Sequence, residues 1–192
     1  MKNIFEKGEF SGYQIDSLNE AAGTIKTSYY AFAEKKTTIF ISHKHDDLEE
    51  LKGIIGFLEK KYNVKVYIDS QDISMPKMTS GETARRIKER IKTCEKFILL
   101  ATDGAIESKW CNWELGFGDA QKYDSKSIAL FPLKDKGTYD SVYRGNEYME
   151  IYPHIVYWGG NDKYSSGEKI QDGYYVRYKE KGEYYLTSLE KW

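Results

Sequence analysis

A chain of 192 residues allows one good-sized domain, or one domain with appendages. With 40% hydrophobic residues it can fill a core, while 31% charged residues and a mean hydropathy of −0.68 indicate a solvated surface. The formal net charge of −1 supplies no overall attraction to nucleic acid or to an anionic membrane, and no long apolar run or leader-like start is present. Cys94 and Cys111 stand in no metal-type spacing, so they read as reduced thiols of a cytoplasmic protein.

Residues 1–36 carry no clear periodicity, although the stretch from Ile15 to Lys36 is compatible with a helix on the domain edge. Thr37 to Ser42, TTIFIS, is a β-branched apolar run of strand length. After HKHDD, the positions Leu48, Leu51, Ile55 and Leu58 recur at helical spacing, with Asp46 and Asp47 placed favourably at the helix start. Val64 to Asp69 is a second strand, closed by SQDISMPKMTSG, which has turn chemistry. Glu82 to Cys94 is helical, with Ala84, Ile87 and Ile91 on one stripe. Lys96 to Thr102 is a continuous apolar run, the pattern of a strand covered on both faces.

DGAIES reads as a loop, and Ser108 as the N-cap of a helix running to Gln121. Ser127 to Leu133 and His154 to Trp158 are further strands. Seventeen tyrosines concentrate from Tyr139 onward, so the C-terminal part is built differently from the middle. There, residues 173–192 alternate like a hairpin that turns near Lys181 and Gly182. Strands alternating with helices imply right-handed crossovers and a doubly wound α/β domain over residues 37–158. An N-terminal extension, 1–36, and a C-terminal hairpin extension, 159–192, flank it.

In such sheets ligands bind beyond the carboxyl ends of the strands, where the strand order reverses. Ser42, His43 and Lys44 follow the first strand, Asp69 and Ser70 the second, and Thr102 and Asp103 the third. The helix carrying WCNWE begins on that same edge, with Trp110, Trp113 and Glu114 at positions that share a face. Taken alone, Glu114 reads as a solvated helix residue, Trp113 with Phe117 as the helix's core stripe, and Cys111 as a small packing residue. HKHDD is no metal shell, because a strand-to-helix turn scatters its side chains and no second His or Cys cluster completes it. GFGDA lies within a helix and lacks a third glycine, so it is no dinucleotide fingerprint, and no phosphate-loop motif is present.

Three segments together resemble the Toll/interleukin-1 receptor (TIR) domain family. TTIFISHKHDD looks like its first box, VYIDSQDISMPKMTSGETARRI like its second strand and BB loop, and ESKWCNWELGFG like the Ser-x-Trp-Cys-x-x-Glu-Leu motif of NAD-cleaving members. The resemblance implies a flavodoxin-like fold with a mainly parallel five-stranded sheet. It also implies cleavage of the nicotinamide–ribose bond of NAD, with Glu114 as the catalytic carboxylate and no cofactor beyond NAD as substrate. Ser42, His43, Lys44, Asp69, Trp110 and Cys111 then fall at the NAD site, with Trp110 stacking on a ring of the ligand and Lys44 at its pyrophosphate. Asp72, Pro76 and Gly81 fall in the BB loop, a gate or an oligomer contact.

The BB loop here reads DISMPKMTSG where a shorter Pro-Gly turn is common in the family. A TIR domain with such small additions looks like the signal-producing members of Thoeris antiphage systems. These make a cyclic ADP-ribose isomer or related adduct that activates an effector protein. Self-association through TIR–TIR contacts is expected, with neither nucleic acid nor membrane as a partner. Two other functions fit parts of the pattern: a non-enzymatic TIR–TIR interaction module, and a nucleoside deoxyribosyltransferase-like enzyme using a glutamate near a sugar.

Overall fold

The computed structural model describes residues 1–15, 36–68, 81–138 and 147–192. The expected helix within 15–36 and the segment from Asp69 to Ser80, with Asp72 and Pro76, lie largely or wholly outside the described residues. The strands are β1 (Phe5–Glu6), β2 (Thr38–Ser42), β3 (Lys65–Tyr67), β4 (Lys96–Ala101), β5 (Ile128–Lys134), β6 (His154–Trp158), β7 (Gly173–Glu180) and β8 (Glu183–Ser188). The helices are α1 (Leu48–Tyr62), α2 (Gly81–Thr93), α3 (Asp103–Glu107) and α4 (Lys109–Lys122).

The central sheet runs β3-β2-β4-β5-β6, parallel throughout, as expected of a doubly wound fold. Its strands are apolar along their length because both faces are covered. Leu51, Ile54, Ile55, Phe57 and Leu58 of α1 pack on one face with Ile39, Ile41, Ile98 and Leu100. On the other face, Ile87 and Ile91 of α2 and Cys111 and Leu115 of α4 meet Phe40, Phe97, Leu99 and Leu130. Each fully buried Leu, Ile or Phe contributes roughly 1.5–3 kcal/mol through apolar area withdrawn from water. Both cysteines are buried thiols outside any disulfide, and burial pushes the Cys94 thiol up to about 11.

The five expected strands are not the whole sheet. β7 pairs antiparallel with β6 and β8 with β7, so the hairpin continues the sheet across what would have been the free edge of β6. Its turn falls at Lys181 and Gly182, with φ of 48° and 86°, which suits a tight two-residue hairpin connection. The tyrosines mark this region: Tyr178 stacks on Tyr185 across the hairpin, and Tyr174 packs on Tyr157.

The N-terminal segment, featureless by periodicity, is also part of the core. β1 runs parallel to the end of β5, and Phe5 and Phe10 are buried between Phe57, Phe131 and Tyr174. Gly56 of α1 makes this possible, because a Cβ there would collide with the Tyr13 backbone carbonyl. DGAIES, expected as a loop, forms α3, since the Thr102 hydroxyl caps it by accepting from the Ala105 N–H at 3.1 Å. No helix among the described residues is long and apolar enough to cross a membrane.

Candidate active site

β2 is flanked by β3 on one side and β4 on the other, with α1 on one face and α4 on the opposite one, so the strand order reverses at β2. A crevice is expected at its carboxyl end. That end carries Ser42, His43 and Lys44, and the ends of β4 and β5 carry Thr102, Lys134 and Asp135 beside it.

α4 is anchored there by its first turn. The Ser108 hydroxyl accepts from the Cys111 N–H at 3.3 Å, as an N-cap should. The Asn112 amide donates to the Ile106 and Ser108 carbonyls at 2.7 and 2.9 Å, and Tyr148 donates to the Asn112 Oδ1 at 2.5 Å. This clamp fixes the α3–α4 junction, and so the position of Glu114 in the following turn.

Glu114 is not the solvated residue that its helical context suggests: it is 1% exposed. The Ser42 hydroxyl, itself 1% exposed, donates to its Oε2. Two residues 72 apart in the chain thus meet, one from a strand end and one from a helix facing it. His43, next to Ser42 in sequence, is buried as well, at 6% exposure. A carboxylate so far from water is expensive unless polar groups hold it, and such sites concentrate at functional centres.

The aromatic residues of α4 stand at the edge of the core. Cys111, Glu114, Leu115 and Gly118 are the buried positions of α4, while Trp113 and Phe117 are half-buried. Those two rings stack at 6.4 Å and lie under the Lys88 ammonium of α2, at 5.7 and 5.0 Å. They therefore pack against the core from its edge, as their spacing suggests, and cover the α2–α4 seam there. Trp110, half-buried at the start of α4, packs on Trp113 at 5.0 Å. Cys111 is a packing residue at 1% exposure, pointing into the core beside Phe40 and Leu115.

A cavity of about 240 Å³ opens over the strand ends, lined among others by Lys7, Lys44, Asp47, Asp103, Gly104 and Asp135. Lys44 lies against Gly104 and pairs with Asp46 at 3.2 Å. Asp47, expected as a helix-start acid, is 6% exposed and accepts from the Thr102 hydroxyl at 2.6 Å. Lys7 of the N-terminal segment reaches in, 2.8 Å from Asp135 and 3.7 Å from Asp47. Its hydrogen bond to Asp135, helped by the nearby carboxylates, raises its pKa above the ordinary lysine value. Neither Lys7 nor the Asp47–Thr102 bond was foreseeable, since nothing local ties residue 7 to the end of β5. Of the remaining expected site residues, Gly81 opens α2 at the surface, and Asp69 is outside the described residues. Among the described residues no group of three or more His, Cys, Asp or Glu is arranged to hold a metal ion.

The model of the TIR domain matches residues 39–154, from β2 to the start of β6. This chain belongs to the TIR domain family. Its relatives include a Bacillus cereus (strain MSX-D12) protein named "Probable 3' cyclic ADP-D-ribose synthase ThsB'", 32% identical over 144 residues, 73% of this chain and 72% of that one. A Cytobacillus dafuensis protein named "Putative cyclic ADP-D-ribose synthase TIR2" is 29% identical over 106 residues. That match spans 54% of this chain but 27% of the longer relative. Among solved structures, a prokaryotic SEFIR domain overlays 54% of this TIR chain and 73% of its own, at 15% identity and a TM-score of 0.40, a likeness too distant to bear on function. The family match ends where β6 begins, so the hairpin and the N-terminal segment lie outside the matched residues.

Proposed function

We propose that this TIR domain breaks the nicotinamide–ribose bond of NAD and releases a cyclic ADP-ribose-type signal in antiphage defence of the Thoeris kind. The observation that carries the reading is Glu114, a buried carboxylate held by the Ser42 hydroxyl at the strand-order reversal of the sheet. The names of the two bacterial relatives, both cyclic ADP-D-ribose synthases, supply the reaction class.

The chemistry suits one carboxylate. Nicotinamide departs as a neutral molecule from a cationic ring, so no general acid has to protonate it and no cofactor is called for. The transition state is oxocarbenium-like, and a fixed negative charge near the ribose stabilises it. Glycosidases need a second carboxyl group mainly to assist the leaving group, a task absent here. Ser42 sets the orientation of Glu114 in advance, so little reorganisation accompanies the developing charge. Trp110 stands one helical turn before this carboxylate and His43 directly follows its partner Ser42 in the chain, and Trp110 stacks on a ring of the ligand. Lys44 turns from Asp46 to the pyrophosphate. Because Glu114 is 1% exposed, a ribose reaches it only after neighbouring groups shift, which fits an enzyme switched on by TIR–TIR assembly. The freed signal then reaches a separate effector protein, and the reaction runs in the cytoplasm.

Purified protein incubated with NAD at concentrations that favour assembly is expected to release nicotinamide, with a cyclic ADP-ribose isomer detected by mass spectrometry. The Glu114→Gln protein is expected to release none. Equal turnover by both proteins overturns the assignment, and ADP-ribose as the sole product overturns the cyclisation.

A further inference from the structure

On the face of the sheet that α2 and α4 cover over β4 and β5, a row of paired residues runs on to the hairpin. Leu130 pairs with His154, His154 with Arg177, and Lys179 with Tyr184. Directly paired residues project to the same side, so these side chains rise together from one face. A cavity of about 340 Å³ opens there, within the range of small-molecule sites. Its floor and walls include Pro132, Tyr152, His154, Arg177, Lys179 and Tyr184, with Asn3 and Glu150 at the rim.

The cavity has a cause in the sequence. β5 pairs with β6 at Leu130 and with β1 at Leu133 and Lys134. Pro132 stands between these pairings with no N–H to donate, so the ladder changes partner there and the strands part.

The lining is cationic and aromatic. Arg177 donates to the Asn3 amide oxygen at 3.0 Å and lies 4.8 Å from the Tyr184 ring, and Lys179 lies 5.6 Å from the same ring. Among the described residues neither cation forms an ion pair with a carboxylate. Two residues apart on one strand face, they stand roughly 7 Å from each other along the strand, a span one phosphate group can bridge. Tyr152, 6% exposed, and Tyr184, 62% exposed, offer ring surface at the inner and outer ends. Burial and the Arg177 charge hold the His154 imidazole down at about 4, so at neutral pH it serves as a neutral hydrogen-bonding ring. Glu150 and Asn3 add acceptors suited to an exocyclic amine.

We propose that this cavity is a second small-molecule site, separate from the Glu114 site, that takes a nucleoside monophosphate, its phosphate against Arg177 and Lys179 and its base against the tyrosines. Three strand steps, roughly 14 Å, separate β6 from the Ser42 end of the sheet. Asn3, Arg177, Lys179 and Tyr184 fall outside the residues that match the TIR family, while Pro132, Glu150, Tyr152 and His154 fall within them, so the site forms where the flanking segments meet the matched domain. It does not depend on NAD being the substrate.

Titration calorimetry on the full chain, with AMP, adenosine and inorganic phosphate as probes, tests the proposal. AMP is expected to bind one to one, and adenosine and phosphate each at least about tenfold more weakly. Arg177→Gln with Lys179→Gln is expected to weaken AMP at least about tenfold, while Lys44→Gln, at the other crevice, leaves it unchanged. The exposed Lys179→Gln alone, with its melting temperature checked, serves if the double variant does not fold. Absence of AMP binding to the folded protein overturns the proposal, as does binding lost in Lys44→Gln but kept in the hairpin variants. Equal affinity for AMP and adenosine overturns the phosphate contact. All of these readings are independent of nicotinamide release.

Discussion

Replacing Ser42 by alanine removes the hydroxyl that donates to Glu114, at a point where both side chains are 1% exposed. A hydrogen bond to a charged group is worth about 1.5–3 kcal/mol, and water cannot readily take the hydroxyl's place in so enclosed a site. Ser42→Ala should therefore lose about 2 kcal/mol of stability, well above the ±0.5 kcal/mol of an ordinary surface change. Glu114→Gln keeps the volume but makes the acceptor neutral, so the bond it retains is weaker. Once Glu114 is Gln, removing Ser42 should cost less, and the double variant should be about 1 kcal/mol or more better than the sum of the singles. Urea unfolding followed by tryptophan fluorescence reads all four proteins, since Trp110 and Trp113 sit on the helix that carries Glu114. The same Ser42→Ala protein should lose about 10–100-fold in kcat on NAD with a smaller change in KM, because its carboxylate is present but no longer oriented. Additive stabilities within about 0.5 kcal/mol, or full activity in Ser42→Ala, would refute the coupling.

Two further outcomes follow from the frame around the site. Glycine to alanine inside a helix normally stabilises by about 1 kcal/mol, but Gly56→Ala should do the opposite, because its Cβ collides with the Tyr13 carbonyl and lifts the segment that buries Phe10. A net loss of about 1–2 kcal/mol should lower the melting temperature by roughly 2–8 °C, and a rise would show that this contact is absent in solution. His154 has its pKa lowered from 6.5 to about 4, by burial and then by Arg177. Between those values the unfolded chain binds the extra proton, so this contribution is complete above pH 6.5 and is lost as pH falls toward 4. About 1–3 kcal/mol is at stake, and His154→Gln should flatten that part of the stability–pH curve measured by urea unfolding. An unchanged slope would mean that the imidazole is not buried as described.

The apolar runs and helical stripes determined the central sheet and its helices, since a strand covered on both faces and a one-sided helix each leave a local pattern. Ser108 showed itself as an N-cap for the same reason: its partner is three residues away. The WCNWE stretch marked Glu114 through its resemblance to a family motif, yet its helical context argued for solvent. Only the tertiary structure decided that it is buried, because the wall around it comes from β2 and its Ser42 partner lies 72 residues earlier. Trp113 and Phe117 reach the core only from its edge for a similar reason. Their i, i+4 spacing specifies a shared face but not which neighbour covers it, and here the neighbour is α2 with Lys88. The N-terminal Phe5 and Phe10, Lys7 at the crevice, and the hairpin that extends the sheet all rest on pairings between distant segments. Such pairings are chosen by which edges and faces the rest of the fold leaves open, and that is a property of the assembled domain, not of any one stretch of its chain.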